Sequence, residues 1–320
     1  IRSTMKNVAL LTCAVLTVCL AATCSGLAGD KKEWSSEFSL SRPVVATRSV
    51  FSERLDNPYH EPLAKLFAGE EHIEEAHRKI ALVKGGKPIQ RNEVSTVVSR
   101  HMLIDKFLHD ATTQNLPGPR QVVILGAGFD SRANRLSQEL PVQKWFEIDL
   151  PAPQQFKEDV LRNNDISDPV NLVRIKLDLT AEDVDWLSVL EHSGWDPTAP
   201  TIFILEGLVY YMSTHQAKQL LRSIPSVPSS RIIVTIIEHS LQKVFERYGR
   251  SPWKTNLRQL KRAGGLQLPE YKMVREALVP FPQRYGLKVS VPTWPTKNLF
   301  ERIQMWIHTP CERVFEFEAV

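Results

Sequence analysis

Residues 122–130 have the sequence VVILGAGFD, an apolar run that ends at two glycines and is followed by an acidic residue. An uninterrupted apolar run of this length predicts a buried β-strand. Gly126 and Gly128 carry no Cβ, so the backbone can approach a ligand closely at these positions. The stretch therefore predicts a strand whose carboxyl end faces a bound molecule.

Apolar runs of strand length alternate with amphipathic stretches on both sides of this glycine turn. The alternation indicates an α/β fold with a parallel sheet, because right-handed crossovers place helices on both faces of such a sheet. The predicted strands are 121–125, 143–148, 172–177, 201–205 and 231–237, and the predicted helices lie near 130–140, 151–163, 181–192 and 213–224.

The flanking regions have a different pattern. Residues 35–114 have helical spacing and predict a helical N-terminal cover, interrupted near 85–88. After the fifth strand we expect helices near 240–263 and 270–279, a strand at 287–291, a helix near 296–307 and a last strand at 313–317. The clean alternation of RVFEF at 313–317 predicts an antiparallel last strand in a seven-stranded, mostly parallel sheet. We expect a helical domain at 31–118 and a ligand-binding domain at 119–320.

The composition is that of an ordinary globular protein, with 42% hydrophobic and 24% charged residues and a formal net charge of +4 over 320 residues. Basic residues are interspersed with acidic ones, so we expect no nucleic-acid partner. Only Cys311 lies outside the first 30 residues, and the nine histidines lack the spacing of a metal-binding motif. The sequence predicts no metal site.

Residues 7–29 contain no charge and follow Met5 and Lys6, the order found in a secretory signal. If residues 1–30 are a cleaved signal, we expect the protein in the secretory pathway or the extracellular space. An uncleaved membrane anchor and an organelle transit peptide are the alternatives, and contact with a membrane is expected only if the segment is uncleaved.

Each of the first four strands ends close to a carboxylate, at the edge of the sheet where open α/β folds bind ligands. Ser131 replaces the third glycine of the dinucleotide-binding GxGxxG pattern. The surrounding acidic residues would also repel an anionic diphosphate. S-adenosylmethionine suits such a site, because its sulfonium is positive and its ribose hydroxyls need acceptors. Tight turns and helix caps are the alternative explanations for the individual residues.

Four separated motifs resemble the leucine carboxyl methyltransferase family and its bacterial-type relatives. They are ILGAGFDSRANRL, WFEIDLP, KLDLT and ILEGLVYYM, and the resemblance covers roughly residues 45–318. It implies a Rossmann-like class I methyltransferase fold and S-adenosylmethionine as the cofactor.

The resemblance also implies roles for individual residues. Gly126 would line the methionine part of the cofactor, Asp149 would accept the ribose hydroxyls, and Asp178 with Leu179 would contact the adenine. Glu206 would lie near the amino group of the cofactor and Arg100 would pair with its carboxylate. The full set of predicted cofactor-binding residues is Arg100, Gly126, Ala127, Gly128, Asp130, Glu147, Asp149, Asp178, Leu179 and Glu206.

The predicted reaction is O-methylation of a carboxylate on a small molecule or a peptide C-terminus. A carboxylate is already ionised at neutral pH and requires no general base, whereas a hydroxyl acceptor would require one, with His101 or a tyrosine as the candidate. Tyr210 and Tyr211 are the candidate catalytic residues at the mouth of the site, with aromatic packing as the alternative. A catalytically inactive cofactor-binding protein and a nicotinamide-dependent oxidoreductase remain alternative functions.

Overall fold

The protein is described by a computed structural model that places residues 36–53, 59–83, 93–113, 120–181, 183–239, 242, 253–279, 283–284 and 312–320. The described residues divide into two compact units. The first contains those up to His101 together with Gln283 and Arg284, and the second contains those from Met102 to Val279 together with 312–320. The domain boundary predicted at 118–119 lies outside the described residues, as do the predicted leader at 1–30 and the helix break near 85–88.

The first unit is helical, as the sequence predicts. It contains α1 (Ser36–Ser52), α2 (Leu63–Ala68), α3 (Glu70–Val83) and the first residues of α4 (Thr96–Thr113). A short antiparallel ribbon pairs β1 (Glu93–Val94) with β8 (Gln283–Arg284). Glu70 and Glu71 occupy the first turn of α3, where acidic side chains stabilise the positive end of the helix dipole.

The second unit contains a seven-stranded mixed sheet. Its strands are β2 (Gln121–Leu125), β3 (Lys144–Asp149), β4 (Leu172–Lys176), β5 (Thr201–Leu205), β6 (Arg231–Ile237), β7 (Tyr271–Val279) and β9 (Glu312–Ala319). Their order in the sheet is β4-β3-β2-β5-β6-β9-β7. Strands β2 to β6 pair in parallel, and β9 is antiparallel to both β6 and β7. The predicted antiparallel strand at 313–317 is thereby confirmed.

Helices cover the sheet where the sequence places them. They are α5 (Arg132–Leu136), α6 (Pro151–Asn163), α7 (Trp186–His192), α8 (Thr214–Ser223) and α9 (Leu257–Arg262), with a 3-10 turn at Val209–Tyr211. All five residues of β2 are buried, and alternate side chains enter two different hydrophobic clusters. Val123 and Leu125 pack in one cluster and Val122 and Ile124 in the other, because successive side chains of a strand point to opposite faces. This two-sided burial confirms a Rossmann-like α/β architecture.

One predicted element is wrong. We expect a helix near 270–279 from the sequence, but these residues form β7, which pairs with β9 from Tyr271 to Val279. A register shift between Met273 and Arg275 interrupts the alternation that would have indicated a strand. The predicted strand at 287–291 and helix at 296–307 lie outside the described residues. Of the helix predicted near 240–263, most residues before 253 lie outside them too, residues 253–256 are not helical, and α9 begins at Leu257.

Among the residues that the structure describes, no helix has both the length and the hydropathy needed to cross a membrane.

Candidate cofactor site

Most of the predicted cofactor residues of the second unit lie at the carboxyl ends of four adjacent strands. Strand β2 lies between β3 and β5, so the chain turns in opposite directions on the two sides of β2. Such a reversal opens a crevice at the carboxyl ends of the strands, where open α/β sheets bind ligands. Asp149 is the last residue of β3, and the loops after the strands contribute Gly126, Ala127, Gly128, Asp130, Asp178, Leu179 and Glu206.

The loop after β2 is held to the end of β3 by its own backbone. The N–H groups of Gly126 and Ala127 donate to the carbonyl of Ile148, at 2.8 Å and 3.1 Å. Gly126 and Gly128 have φ angles of 67° and 47°, a left-handed conformation that other residues adopt only at a cost. Around a Cβ built on Gly128, the only described atom within 4 Å is Oδ2 of Asp149, at 3.9 Å. Gly128 therefore leaves open space beside the Asp149 carboxylate, whereas a side chain at Gly126 would meet Leu208.

Asp149 is the acidic residue that the carboxyl end of β3 presents to this space. Its side chain accepts hydrogen bonds from the N–H groups of Gly128 and Leu150. Burial raises the pKa of Asp149 above the ordinary aspartate value, and these two N–H donors offset the effect only in part. An ionised carboxylate offers about four acceptor positions, so Asp149 retains capacity for the hydroxyls of a ribose. The site therefore fits the predicted adenosyl cofactor.

Glu206, at the end of β5, belongs to a cluster of charges around the guanidinium of Arg132. The Arg132 side chain is fully buried, and it contacts Asp105 from α4 at 2.6 Å, Glu206 at 2.8 Å and the carboxylate of Asp130. Arg135 contacts Asp105 as well, at 2.8 Å. Burial alone would lower the pKa of Arg132, but the attraction of the three carboxylates outweighs it and raises that pKa well above its ordinary value. Arg132 thus stays charged and fixes the position of Glu206.

Asp130 and Glu147 have environments unlike that of Asp149. The Asp130 carboxylate is buried and accepts from both the backbone N–H and the guanidinium of Arg132. Glu147 is fully buried and its Oε2 contacts Lys157 at 2.7 Å and Arg174 at 3.0 Å. Both carboxylates are engaged in buried ion pairs, and their contact with the cofactor stays a prediction.

Asp178 and Leu179 follow β4. Oδ1 of Asp178 accepts from the backbone N–H of Thr180 at 2.8 Å and from its hydroxyl at 2.6 Å, which makes the residue part of a tight turn. Leu179 is partly buried and packs against the larger hydrophobic cluster. The structure thus places this pair on a fixed loop next to the end of β3.

The two tyrosines differ in exposure. Tyr210 is buried, with its ring 4.9 Å from that of Tyr211 and edge-on to Trp253 at 6.1 Å. Tyr211 is only partly buried. The packing alternative therefore describes Tyr210 better, and Tyr211 is the better placed of the two to meet a substrate.

Arg100 lies in the first unit, on α4, where its side chain is buried. Its neighbour His101 is fully buried and belongs to a network with Arg48, Tyr59 and Glu61. Nη1 of Arg48 lies 3.1 Å from Nδ1 of His101, and Nε of Arg48 lies 3.2 Å from Oε2 of Glu61. Tyr59 donates to the same Glu61 oxygen.

Sequence reasoning missed the cations that organise these carboxylates. Arg132 lies two residues after Asp130, in the same motif as the predicted cofactor residues Gly126 and Gly128. Lys157 carries no motif, and its position on α6 is typical of a solvated helix residue. A buried carboxylate needs a cation or a hydrogen-bond donor as its partner. The basic residues near the acidic strand ends were therefore the signal from which these two cations could have been predicted.

Comparison with known proteins adds an independent finding. Residues 43–225 match the family described as leucine carboxyl methyltransferase. A Streptomyces coelicolor protein, provisionally named an S-adenosyl-L-methionine-dependent methyltransferase, is 32% identical over 223 residues, or 68% of this chain and 75% of that protein. A Mycobacterium tuberculosis protein with the same provisional name is 29% identical over 249 residues, or 70% and 68% of the two chains. A Thermobifida fusca crystal structure, described provisionally as a methyltransferase, covers 90% of this chain and 99% of its own at 12% identity and a TM-score of 0.49.

Proposed function

Because this chain belongs to the leucine carboxyl methyltransferase family and is an S-adenosylmethionine-dependent methyltransferase, we propose that it methylates a carboxylate oxygen. The proposed acceptor is a carboxylate of a small molecule or the C-terminus of a peptide. Membership of this family argues against the alternative function of a nicotinamide-dependent oxidoreductase.

The hydrogen bond between Arg48 and His101 is the observation that carries this proposal. An arginine can only donate, so Nδ1 of His101 accepts and the proton of the neutral ring resides on Nε2. The guanidinium engages the only ring lone pair that the neutral imidazole offers. His101 is therefore unsuited to act as the general base that a hydroxyl acceptor would require.

An ionised carboxylate fits a chain whose candidate histidine is occupied in this way. Asp, Glu and C-terminal carboxyl groups are ionised at neutral pH, so methylation removes no proton from them. The contribution of the protein is then to hold the acceptor oxygen close to the methyl carbon and in line with it. When bound, S-adenosylmethionine supplies an electrophilic methyl group on a positive sulfonium.

We assign the cofactor contacts as the resemblance implies. Asp149 accepts the ribose hydroxyls, Asp178 with Leu179 contacts the adenine, and Gly126 with its neighbours Ala127 and Gly128 lines the methionine part. Glu206, held by Arg132, lies near the amino group, and Arg100 pairs with the carboxylate through its planar fork. Tyr211 is the proposed contact to the acceptor.

The test uses S-adenosylmethionine that carries tritium on its methyl group, together with separate pools of small carboxylic acids and of peptides with free C-termini. A methyl ester releases volatile labelled methanol in mild alkali, whereas a methyl ether or a methylated amine keeps its label. We expect alkali-labile label from one of the two pools. Label that is stable to alkali, transferred to a hydroxyl or amine of the same compounds, would contradict a carboxylate acceptor.

A second readout is the pH dependence of the transfer rate. A carboxylate acceptor is fully ionised between about pH 6 and pH 8, so the rate constant at saturating substrate should be nearly constant there. A rate constant that rises tenfold per pH unit would indicate removal of a proton from a hydroxyl, and would argue against the proposal.

A further inference from the structure

Lys157 is a fully buried lysine whose position on α6 gives no hint of a function. Burying an ammonium is costly unless hydrogen bonds and an opposite charge compensate for the lost water. Its Nζ atom donates to Oε2 of Glu147 at 2.7 Å and also to the backbone carbonyl of Asp130. The second contact is the informative one, because it joins the lysine to the glycine loop after β2.

Asp130 ends that loop, and each of its polar groups has a partner. Its N–H donates to the carbonyl of Ala127 at 2.8 Å, and its carboxylate accepts from Arg132. Its carbonyl accepts from Lys157. The lysine thus completes the set of hydrogen bonds that fix the conformation of residues 126–130.

The Glu147 end of the contact lies on β3, two residues before Asp149. Glu147 is shared between Lys157 and Arg174, and Arg174 also pairs with Asp168. Through Glu147 and Asp130 the ammonium connects the two segments that carry the glycines and the ribose acceptor. The positive charge of Lys157 also favours the ionised form of Asp149.

We propose that Lys157 is a positioning residue of the cofactor site, which holds the glycine loop against the end of β3 without touching the cofactor. This inference rests on the cofactor contacts assigned above, but it does not depend on the identity of the methyl acceptor.

The test compares Lys157→Met with a matched control elsewhere in the same sheet. Lys157→Met keeps the length of the side chain and leaves Glu147 paired with Arg174. The control is Arg231→Met at the first residue of β6, since Arg231 pairs with the buried Glu316 at 2.9 Å and Glu316 retains Arg275 as its second partner. Each variant therefore removes one of two cations from a buried glutamate. Arg231→Met also removes the contact with Glu318 at 3.0 Å, but only Lys157→Met removes a donor to the glycine loop.

Calorimetric titration with S-adenosylmethionine and with its demethylated product measures the effect on the full chain. We expect Lys157→Met to bind both about tenfold more weakly than the wild type, the size of effect that follows from leaving one buried polar group unpaired. Arg231→Met should bind like the wild type although its melting temperature is lowered. Equal affinities in the two variants would overturn the inference. If the wild type bound neither ligand, the cofactor contacts themselves would fail and this inference with them.

The pH profile of binding provides a readout that a general loosening of the fold would not move. Asp149 experiences the charges of Lys157 on α6 and Glu147 on its own strand, and accepts from Gly128 and Leu150. Without the lysine, protonation of Asp149 should begin at higher pH, so affinity in Lys157→Met should decline at a higher pH than in the wild type. If Lys157→Met bound more weakly at every pH but its affinity declined at the same pH as that of the wild type, the result would count against the proposal.

If Lys157→Met does not fold, Lys157→Met/Glu147→Gln removes both charges of the pair and is compared with Arg231→Met/Glu316→Gln. The same difference in cofactor affinity between the two double variants is expected. Indistinguishable affinities would overturn the inference in this form as well.

Discussion

Nη2 of Arg132 lies 2.8 Å from Oε2 of Glu206, which connects the start of α5 to the end of β5 across the carboxyl edge of the sheet. The same guanidinium contacts Asp105 and Asp130. One buried cation therefore contacts and orients carboxylates from three separate segments, and several consequences can be measured.

Replacing Arg132 should destabilise the protein strongly. Arg132→Met leaves three carboxylates without their shared cation, and loss of one partner from a buried ion pair costs about 3–5 kcal/mol of unfolding free energy. The surface pair of Arg162 with Asp159, at 2.9 Å, gives the matched control. Arg162→Met should cost less than about 1 kcal/mol because solvent screens an exposed pair. Urea unfolding checks both values, and similar losses in the two variants would contradict the role assigned to Arg132.

Replacing Asp149 should weaken cofactor binding more than it affects stability. In Asp149→Asn one acceptor oxygen becomes an NH2 group, which only donates. The two side-chain positions can then no longer both accept, as the carboxylate oxygens do from Gly128 and Leu150. We expect S-adenosylmethionine to bind about tenfold to a hundredfold more weakly, which corresponds to about 1–3 kcal/mol.

The control for Asp149→Asn is Asp159→Asn on the exposed face of α6, which should bind like the wild type. Calorimetry with NAD as a third ligand should show no binding to any of these proteins. Unchanged affinity in Asp149→Asn would remove Asp149 from the cofactor site.

The two glycines of the loop should respond differently to alanine. Gly126→Ala places a methyl group 2.7 Å from Cδ1 of Leu208 in a residue with φ of 67°, so both crowding and backbone strain oppose it. We expect a loss of about 2–4 kcal/mol in Gly126→Ala and about 1–2 kcal/mol in Gly128→Ala, which has strain without crowding. Cofactor affinity should fall in Gly128→Ala even so, because its methyl group enters the space beside Asp149. Thermal unfolding and calorimetry together separate the two effects, and equal destabilisation with intact binding in both variants would be contrary evidence.

The ion pair between Asp110 and Arg275 predicts a specific acid dependence of stability. Burial would raise the pKa of Asp110, but hydrogen bonds from Arg275 and Lys106 outweigh this and lower it below the ordinary value of 3.8. The folded state therefore binds this proton less readily than the unfolded state does. The stabilisation is present above about pH 4 and is lost as the pH falls through the lowered pKa.

Asp110→Asn should accordingly lower the unfolding free energy at pH 7 by about 1–2 kcal/mol. The difference from the wild type should shrink as the pH falls below 3.8. Urea unfolding at a series of pH values measures it, and a difference that stays constant down to pH 2 would show that the charge of Asp110 is not its cause.

The parallel half of the sheet could be predicted because each of its strands is buried on both faces and appears as a continuous apolar run. The run at Gln121–Leu125 and the one at Thr201–Leu205 coincide with β2 and β5. Strand β7 could not be predicted in this way. It pairs only with β9 in the described sheet, and its register shift disturbs the alternation that a strand with one solvated face should show.

The positions of candidate site residues could be predicted where they lie next to a strand end, as at Gly126, Asp149 and Glu206. The buried cations could not, because their partners are distant in the chain. Arg132 meets Asp105 and Glu206 only after the sheet has formed, and Lys157 becomes a buried residue only when α6 packs over Glu147. An acidic residue in a loop and an acidic residue in a buried pair have the same sequence signature, so the sequence does not distinguish the environments of Asp130 and Glu147 from that of Asp149.

The insertion of β9 between β6 and β7 bears on the order in which the chain can fold during synthesis. Strand β7 is translated before β9, yet in the sheet it reaches β6 only through β9. On the ribosome, residues 271–279 therefore have no partner among the described strands until residues 312–319 have emerged, and the edge of β6 that pairs with β9 stays exposed until then. A nascent chain arrested before Glu312 should be cleaved by protease within 271–279, and one arrested well beyond Ala319 should resist.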